Sequence, residues 1–205
     1  ARDAATVDDV NCNHRNSRYL GEAPLNPTLQ ATLDPVEAIT DADAVIMGIP
    51  SNNFRSVLSD IAPHLPKDAP LISLTKGLER GSRLRMTEIC REIAPGRPVG
   101  VLTGPNLARE IVAGQAAAGV LALDDPGPQV WLQPLLNVGL FRVYTNPDHI
   151  GCELGGVFKN IIAIAVGMGD GLGAGDNTRA ALITRGLAEM TRLGTVLGGR
   201  AETFA

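Results

Sequence analysis

Of the eighteen Lys and Arg residues in this chain only three are lysines, Lys67, Lys76 and Lys159. Arginine therefore carries the surface cationic charge, and each lysine invites the question of what its amine does. Lys67, in HLPKDAP, sits in a polar, proline-flanked stretch, whereas Lys76, in SLTKGL, and Lys159, in GGVFKNIIAIAVG, have small or apolar neighbours. Such a setting disfavours the charged ammonium and lowers its pKa, which suits an amine that gives and takes a proton near neutral pH. If Lys159 lies on a helix, its i−4, i−3 and i+4 neighbours are Gly155, Gly156 and Ala163. Its face is then nearly bare, and something can approach closely. Two other roles stay open for it: a Schiff-base lysine, or a structural one reaching out to water from a helix contact.

The elements that must position these amines follow from the apolar pattern. Asp34-Pro35-Val36-Glu37 reads as a helix start, with an N-cap acid, Pro at the first helical position and Glu three residues after the cap. Short apolar runs at 44–49, 70–74, 98–103, 118–123 and 141–145 alternate with helical patterns at 51–61, 85–93, 106–113 and 129–137, the first capped by Ser51 and the last kinked or broken at Pro134. Continuous apolar strands separated by helices predict an α/β fold with a mostly parallel sheet covered on both faces. Near Asn146-Pro147 the rhythm changes to two long helices, 150–168 and 178–197, joined by GMGDGLGAGDN. A division into an α/β domain over 1–147 and a helical domain over 148–205 is expected.

In an open parallel sheet, ligands bind beyond the carboxyl ends of the strands. Three such ends carry tight loops poor in bulky side chains: GIPSN (48–52), LTKG (74–77) and TGPN (103–106). The last leads from a strand through Gly104 into a helix start, a setting for a polar or anionic ligand. The connector GMGDGLGAGDN follows a helix rather than a strand, so it reads as a connector and not as a dinucleotide fingerprint.

Composition bounds the rest. A net charge of −4 over 205 residues, without a basic cluster, argues against nucleic acid or an anionic membrane as the main partner. The most apolar run, 161–168, is too short to cross a bilayer, so no membrane span is expected. Cys12, Cys90 and Cys152 are odd in number and far apart, which points to free thiols and the cytoplasm. His14, His64 and His149 have no ligand spacing, so no metal site is expected. The opening ARDAATVDD has neither an apolar core nor an initiator Met, so the chain reads as a fragment or a processed product without a targeting peptide.

Several stretches, NSRYL, IPSN, TKGLE, TGPNLA, FRVYTNPDHIG, ELGGVFKNIIAIA, GDGLGAGDNTRAALITRGLAEMTRLG and ETFA, together resemble the bacterial NAD(P)-dependent glycerol-3-phosphate dehydrogenases over nearly the whole chain. The resemblance implies a partial Rossmann-like sheet followed by the start of an all-α domain. It also implies reversible reduction of dihydroxyacetone phosphate to sn-glycerol 3-phosphate with NADP or NAD as cofactor, in the service of phospholipid synthesis, and it is compatible with a homodimer. By motif, Lys159 matches the catalytic lysine, which also binds substrate, and Lys76 matches a residue touching substrate and cofactor. Gly104 and Asn106 match substrate contacts, with Asn in place of the common Ser or Thr. Ala108 matches a cofactor contact, and Arg2 a cation facing the adenosine ribose, where it favours a 2′-phosphate.

The family's Gly-rich pyrophosphate loop would precede Ala1, and its Ser-Arg-Asn phosphate clamp would follow Ala205. The chain alone is therefore expected to bind NADPH poorly and to be inactive. Two alternatives stand beside the dehydrogenase: a truncated, non-catalytic interaction module, and a related hydroxyacid or 6-phosphogluconate-type dehydrogenase. The latter would require Lys-x-x-Asn in the catalytic helix, where this chain has Lys159-Asn160 adjacent.

Overall fold

A computed structural model describes residues 1–204. The chain runs α1 (Ala4–Asn13), α2 (Ser17–Leu20), α3 (Pro35–Ile39), β1 (Val45–Met47), α4 (Ser51–Ile61), β2 (Leu71–Ser73), α5 (Met86–Ile93), β3 (Val99–Thr103), α6 (Ala108–Val112), β4 (Ala117–Leu123), α7 (Gly127–Leu136), β5 (Phe141–Thr145), α8 (His149–Gly171) and α9 (Asp176–Val196). The five strands form one sheet in sequence order. β1, β2 and β3 pair in parallel, β4 runs antiparallel to β3, and β5 returns parallel to β4. The reversal needs Gly100, because a Cβ there would lie 2.4 Å from the Ala122 carbonyl oxygen.

Apolar side chains fill both faces of the sheet. Val45, Leu71 and Val99 point to one side, where Phe54, Leu58, Met86 and Ile89 from α4 and α5 close over them. Ile72, Leu102, Leu121 and Val143 point to the other, under Leu132 of α7. Continuous apolar strands are the sequence signature of this double coverage.

Local departures from the sequence reading have physical causes. α1 falls in a segment without a strong apolar stripe and buries Val10 alone. What holds it is polar: Asp3 caps it through the Thr6 N–H, and the Asn11 side chain exchanges two hydrogen bonds with the Ala31 backbone. Pro50 rather than Ser51 takes the N-cap position of α4. α7 passes unbroken through Pro134; the carbonyl that loses its partner belongs to Val130, on the exposed side of the helix. α6 is one turn and a half, shorter than the predicted span of 106–113.

α8 extends beyond the apolar run seen in sequence and, at 23 residues with a mean hydropathy of 1.5, is long and apolar enough to cross a membrane by length and composition. Its first turns are instead buried against the sheet, from Gly151 through Leu154. The rest packs along α9, so the connector between the two helices shrinks to Leu172–Gly175.

Candidate functional site

Because β1, β2 and β3 are parallel, their carboxyl ends share one edge, and hydrogen bonds tie the three loops there together. The Leu74 N–H donates to the Met47 carbonyl (3.0 Å), and the Thr75 hydroxyl donates to the Ile49 carbonyl (2.5 Å), joining the second loop to the first. Gly77 allows this approach, since a Cβ there would meet Ser51 Oγ at 2.8 Å. The Lys76 ammonium bridges to the third loop, donating to the Gly104 carbonyl at 3.0 Å and to Asn106 Oδ1 at 3.2 Å. Gly104 has φ +139°, and a Cβ there would lie 2.7 Å from the Ala118 carbonyl oxygen, so only glycine lets the chain leave β3 over the start of β4.

α8 closes the site from above. Its N-cap is Asp148, whose Oδ1 accepts from the Gly151 N–H at 2.8 Å. The other oxygen accepts from the Arg200 N–H (2.7 Å) and the Thr203 hydroxyl (2.6 Å), folding the end of the described chain back onto the helix start. Phe204 is buried as a result, in a slot left by Gly155, Gly194 and Gly199. Gly156 faces Thr103, where a Cβ would stand 2.6 Å from the hydroxyl oxygen and 3.8 Å from Lys76 Cγ.

Between these elements lies a cavity of about 270 Å³ lined by Lys76, Thr103, Gly104, Gly156, Lys159 and Phe204, among others. Burial pushes the Lys76 pKa down, and the positive charge of Lys159 pushes in the same direction, as expected of two amines aimed at one space. Cys152 lines the same cavity, but burial and the Asp148 charge push its thiol up to about 12, which leaves it protonated and a poor nucleophile at neutral pH. A second groove of about 330 Å³ runs between α8 and α9, walled by Phe158, Ile162, Leu182 and Leu193; its charged members Arg185 and Glu189 pair with each other instead of converging on the groove. Among the described residues no three His, Cys, Asp or Glu side chains converge as a metal-binding set.

The structure thus brings together four of the residues singled out in sequence: Lys76 and Asn106 by a direct hydrogen bond, and Gly104 and Lys159 around the same cavity. Two expectations change. Lys159 is exposed rather than enclosed. The bare face of α8 is also partly filled by the chain's own groups, Thr103 and Phe204. Asn106 is committed to Lys76 and does not cap α6, whose five residues make a weak dipole end. Ala108 lies exposed at the start of α6, outside the cavity lining, and Arg2 lies exposed ahead of α1.

Sequence reasoning passed over Thr103, Phe204 and Glu153. Glu153 had a signal, an acid in an otherwise apolar helical run, which is the same oddity that drew attention to Lys159.

For a nicotinamide dinucleotide this edge offers one free donor: Lys76 uses two of its three N–H groups, so one remains for a ligand oxygen. No strand–glycine loop–helix cradle for a pyrophosphate occurs among the described residues.

Comparison with known proteins agrees with this architecture. Residues 1–127 match the family model for the NAD-dependent glycerol-3-phosphate dehydrogenase N-terminus, and residues 148–205 match that for its C-terminus. Glycerol-3-phosphate dehydrogenase [NAD(P)+] 2 of Sphingopyxis alaskensis is 62% identical over 205 residues, covering 100% of this chain and 62% of that protein. The Mycobacterium avium glycerol-3-phosphate dehydrogenase [NAD(P)+] is 52% identical over 204 residues, 99% of this chain and 60% of that one. The crystal structure of glycerol-3-phosphate dehydrogenase from Coxiella burnetii superposes with a TM-score of 0.91 at 39% identity, covering 98% of this chain and 62% of that one. The chain spans about three fifths of the length of these relatives. By both halves of its sequence and by its fold, the chain belongs to the NAD-dependent glycerol-3-phosphate dehydrogenase family.

Proposed function

We infer that the full-length protein carrying this chain is an NAD(P)-dependent oxidoreductase that interconverts dihydroxyacetone phosphate and sn-glycerol 3-phosphate. The observation that carries this reading is the convergence of Lys76 and Lys159 on one cavity at the carboxyl edge of the sheet, in a chain of this family. The bound nicotinamide supplies hydride transfer to or from C2 of the triose. Lys159 gives a proton to the carbonyl oxygen in reduction and removes it in oxidation. Lys76, held against Gly104 and Asn106, directs its remaining N–H to a substrate oxygen, and its partial desolvation strengthens that contact.

Ala108, small and exposed, leaves room for the cofactor, and Arg2 is assigned to the ribose side on its exposure and charge. A domain boundary at 147 is supported by the end of the last strand at Thr145 and the start of α8 at His149. Placement in the cytoplasm rests on three unpaired cysteines, two of them buried.

Replacing Lys159 with Ala in the full-length enzyme tests the assignment. Turnover should fall by about 10²–10⁴-fold, the range for loss of a general acid–base, while NADPH binding persists. Unchanged turnover would remove Lys159 from the mechanism.

A further inference from the structure

The face of α8 that carries Lys159, with Gly155, Gly156 and Ala163, is poor in side chains. Gly155 and Gly156 offer no side chain there, and a Cβ on Gly156 would meet Thr103 Oγ1 at 2.6 Å and Lys76 Cγ at 3.8 Å. A slip of one residue along the helix turns every side chain by about 100°. Apolar packing of Cys152, Leu154 and Phe158 seats α8, and Arg91 meets His149 at its first turn (2.8 Å); the buried directed contact to the α/β part lies six residues before Lys159, about 9 Å back along the axis and on another face.

Glu153 is 3% exposed, and its carboxylate reaches across to the first turn of α5. Oε1 accepts from the Thr87 N–H at 3.1 Å, and Oε2 accepts from the Thr87 hydroxyl at 2.5 Å and from the Arg85 guanidinium at 3.1 Å. Arg85 is itself nearly buried, and it braces the N-terminus of α5 through Thr87 and Glu88. Among the described residues this is the one buried ion pair between α8 and the α/β part of the molecule. Burial raises the carboxyl pKa, and the Thr87 donors and the Arg85 charge oppose it. Three directed bonds at a helix N-terminus make a rigid coupling, since a shift of about 1 Å would break the two at 3.1 Å and stretch the third.

We propose that Glu153 is a positioning residue: by locking α8 to Thr87 and Arg85 at the start of α5, it sets the rotation that brings Lys159 into the cavity opposite Lys76. This rests on the function proposed above for Lys159 and adds what holds it in place.

The test compares Glu153→Ala, Glu153→Gln and Thr87→Val in the full-length enzyme. Glu153→Gln keeps the length and an oxygen acceptor for the Thr87 N–H; Thr87→Val removes the hydroxyl at nearly constant volume. Misplacement of a reacting group costs about tenfold to a hundredfold, so Glu153→Ala should lower kcat by that factor with KM for the dinucleotide within about twofold. Glu153→Gln should restore most of the lost kcat. A readout independent of activity is the titration of Lys76 followed by NMR of isotope-labelled, unmodified lysine, which leaves its N–H donors to Gly104 and Asn106 intact. Glu153→Ala should raise the Lys76 pKa as the Lys159 charge swings away, and Glu153→Gln should leave it in place. An unmoved Lys76 titration in Glu153→Ala overturns the proposal, as does an unchanged kcat in an active enzyme or a Gln variant as impaired as the Ala variant. If Glu153→Ala does not fold, Thr87→Val takes its place: a lower kcat with a raised Lys76 pKa supports the proposal, and either quantity unchanged overturns it. A wild-type enzyme that does not act on dihydroxyacetone phosphate breaks the functional reading instead, and the titration then decides the positioning role by itself.

Discussion

The two halves of the molecule are about equally apolar in sequence and differ in what becomes of that apolarity. On the face of the sheet under α4 and α5 it is consumed: Phe54, Leu58, Leu71, Met86 and Ile89 are wholly buried, whereas Ile46, Trp131 and Leu135 beside α7 stay partly open. Along α8 and α9 it is left open, with Ile164 and Met168 each 65% exposed and Leu172 and Val196 more so. The α4–α5 side of the sheet is thus a finished core, while the helical pair has one covered face, against the sheet and Phe204, and one uncovered face. The site sits on the seam, with Lys76 supplied by the closed half and Lys159 by the open one. That explains why Lys76 is half-buried while Lys159 is exposed.

The contrast can be broken first at its strong end. Phe54→Ala should cost about 3–5 kcal/mol in urea denaturation, because the finished core cannot collapse around the lost ring; a loss below about 1 kcal/mol would mean the core is looser than its burial implies. At the seam the effect should be intermediate. A Cβ on Gly194 would lie 2.2 Å from Phe204 Cζ, so Gly194→Ala should overpack the slot by about 1–3 kcal/mol and push the ring toward the cavity, lowering kcat as well. A loss of stability with kcat intact would separate Phe204 from the site. The smallest effect belongs to the open face: in the 205-residue chain, Ile164→Ser should change stability by no more than about 0.5 kcal/mol, as exposed positions do. A larger loss would show that the face is covered in solution.

The same contrast sets how far the sequence can be read. The five strands and the helices that cover them were legible because continuous apolar runs between helices leave few arrangements open. α1 was not, because it is held by Asp3 and Asn11 contacts to distant backbone, and such contacts have no period. The break that Pro134 offered does not occur, because the carbonyl it frees lies on the exposed side of α7, which only the packed structure shows. In the site, Lys76 and Lys159 stood out by type and surroundings, and Gly104 and Asn106 by their place at a strand end. Thr103 and Phe204 carry no chemical signal, and they enter the site only through tertiary approach to glycines. The bare face of α8 shows the ambiguity directly, since a glycine pattern that admits a ligand also admits Thr103.

Everything proposed for this site requires that Lys76 and Lys159 present their ammonium groups to one cavity. The direct measurement is the Lys76 titration in the wild-type protein and in Lys159→Met, with the NMR signal assigned by Lys76→Arg. A neighbouring positive charge disfavours protonation, so removing it should move the Lys76 pKa upward, while burial keeps it below the ordinary lysine value of 10.5. A Lys76 titration that does not move when Lys159 is replaced would contradict the shared site.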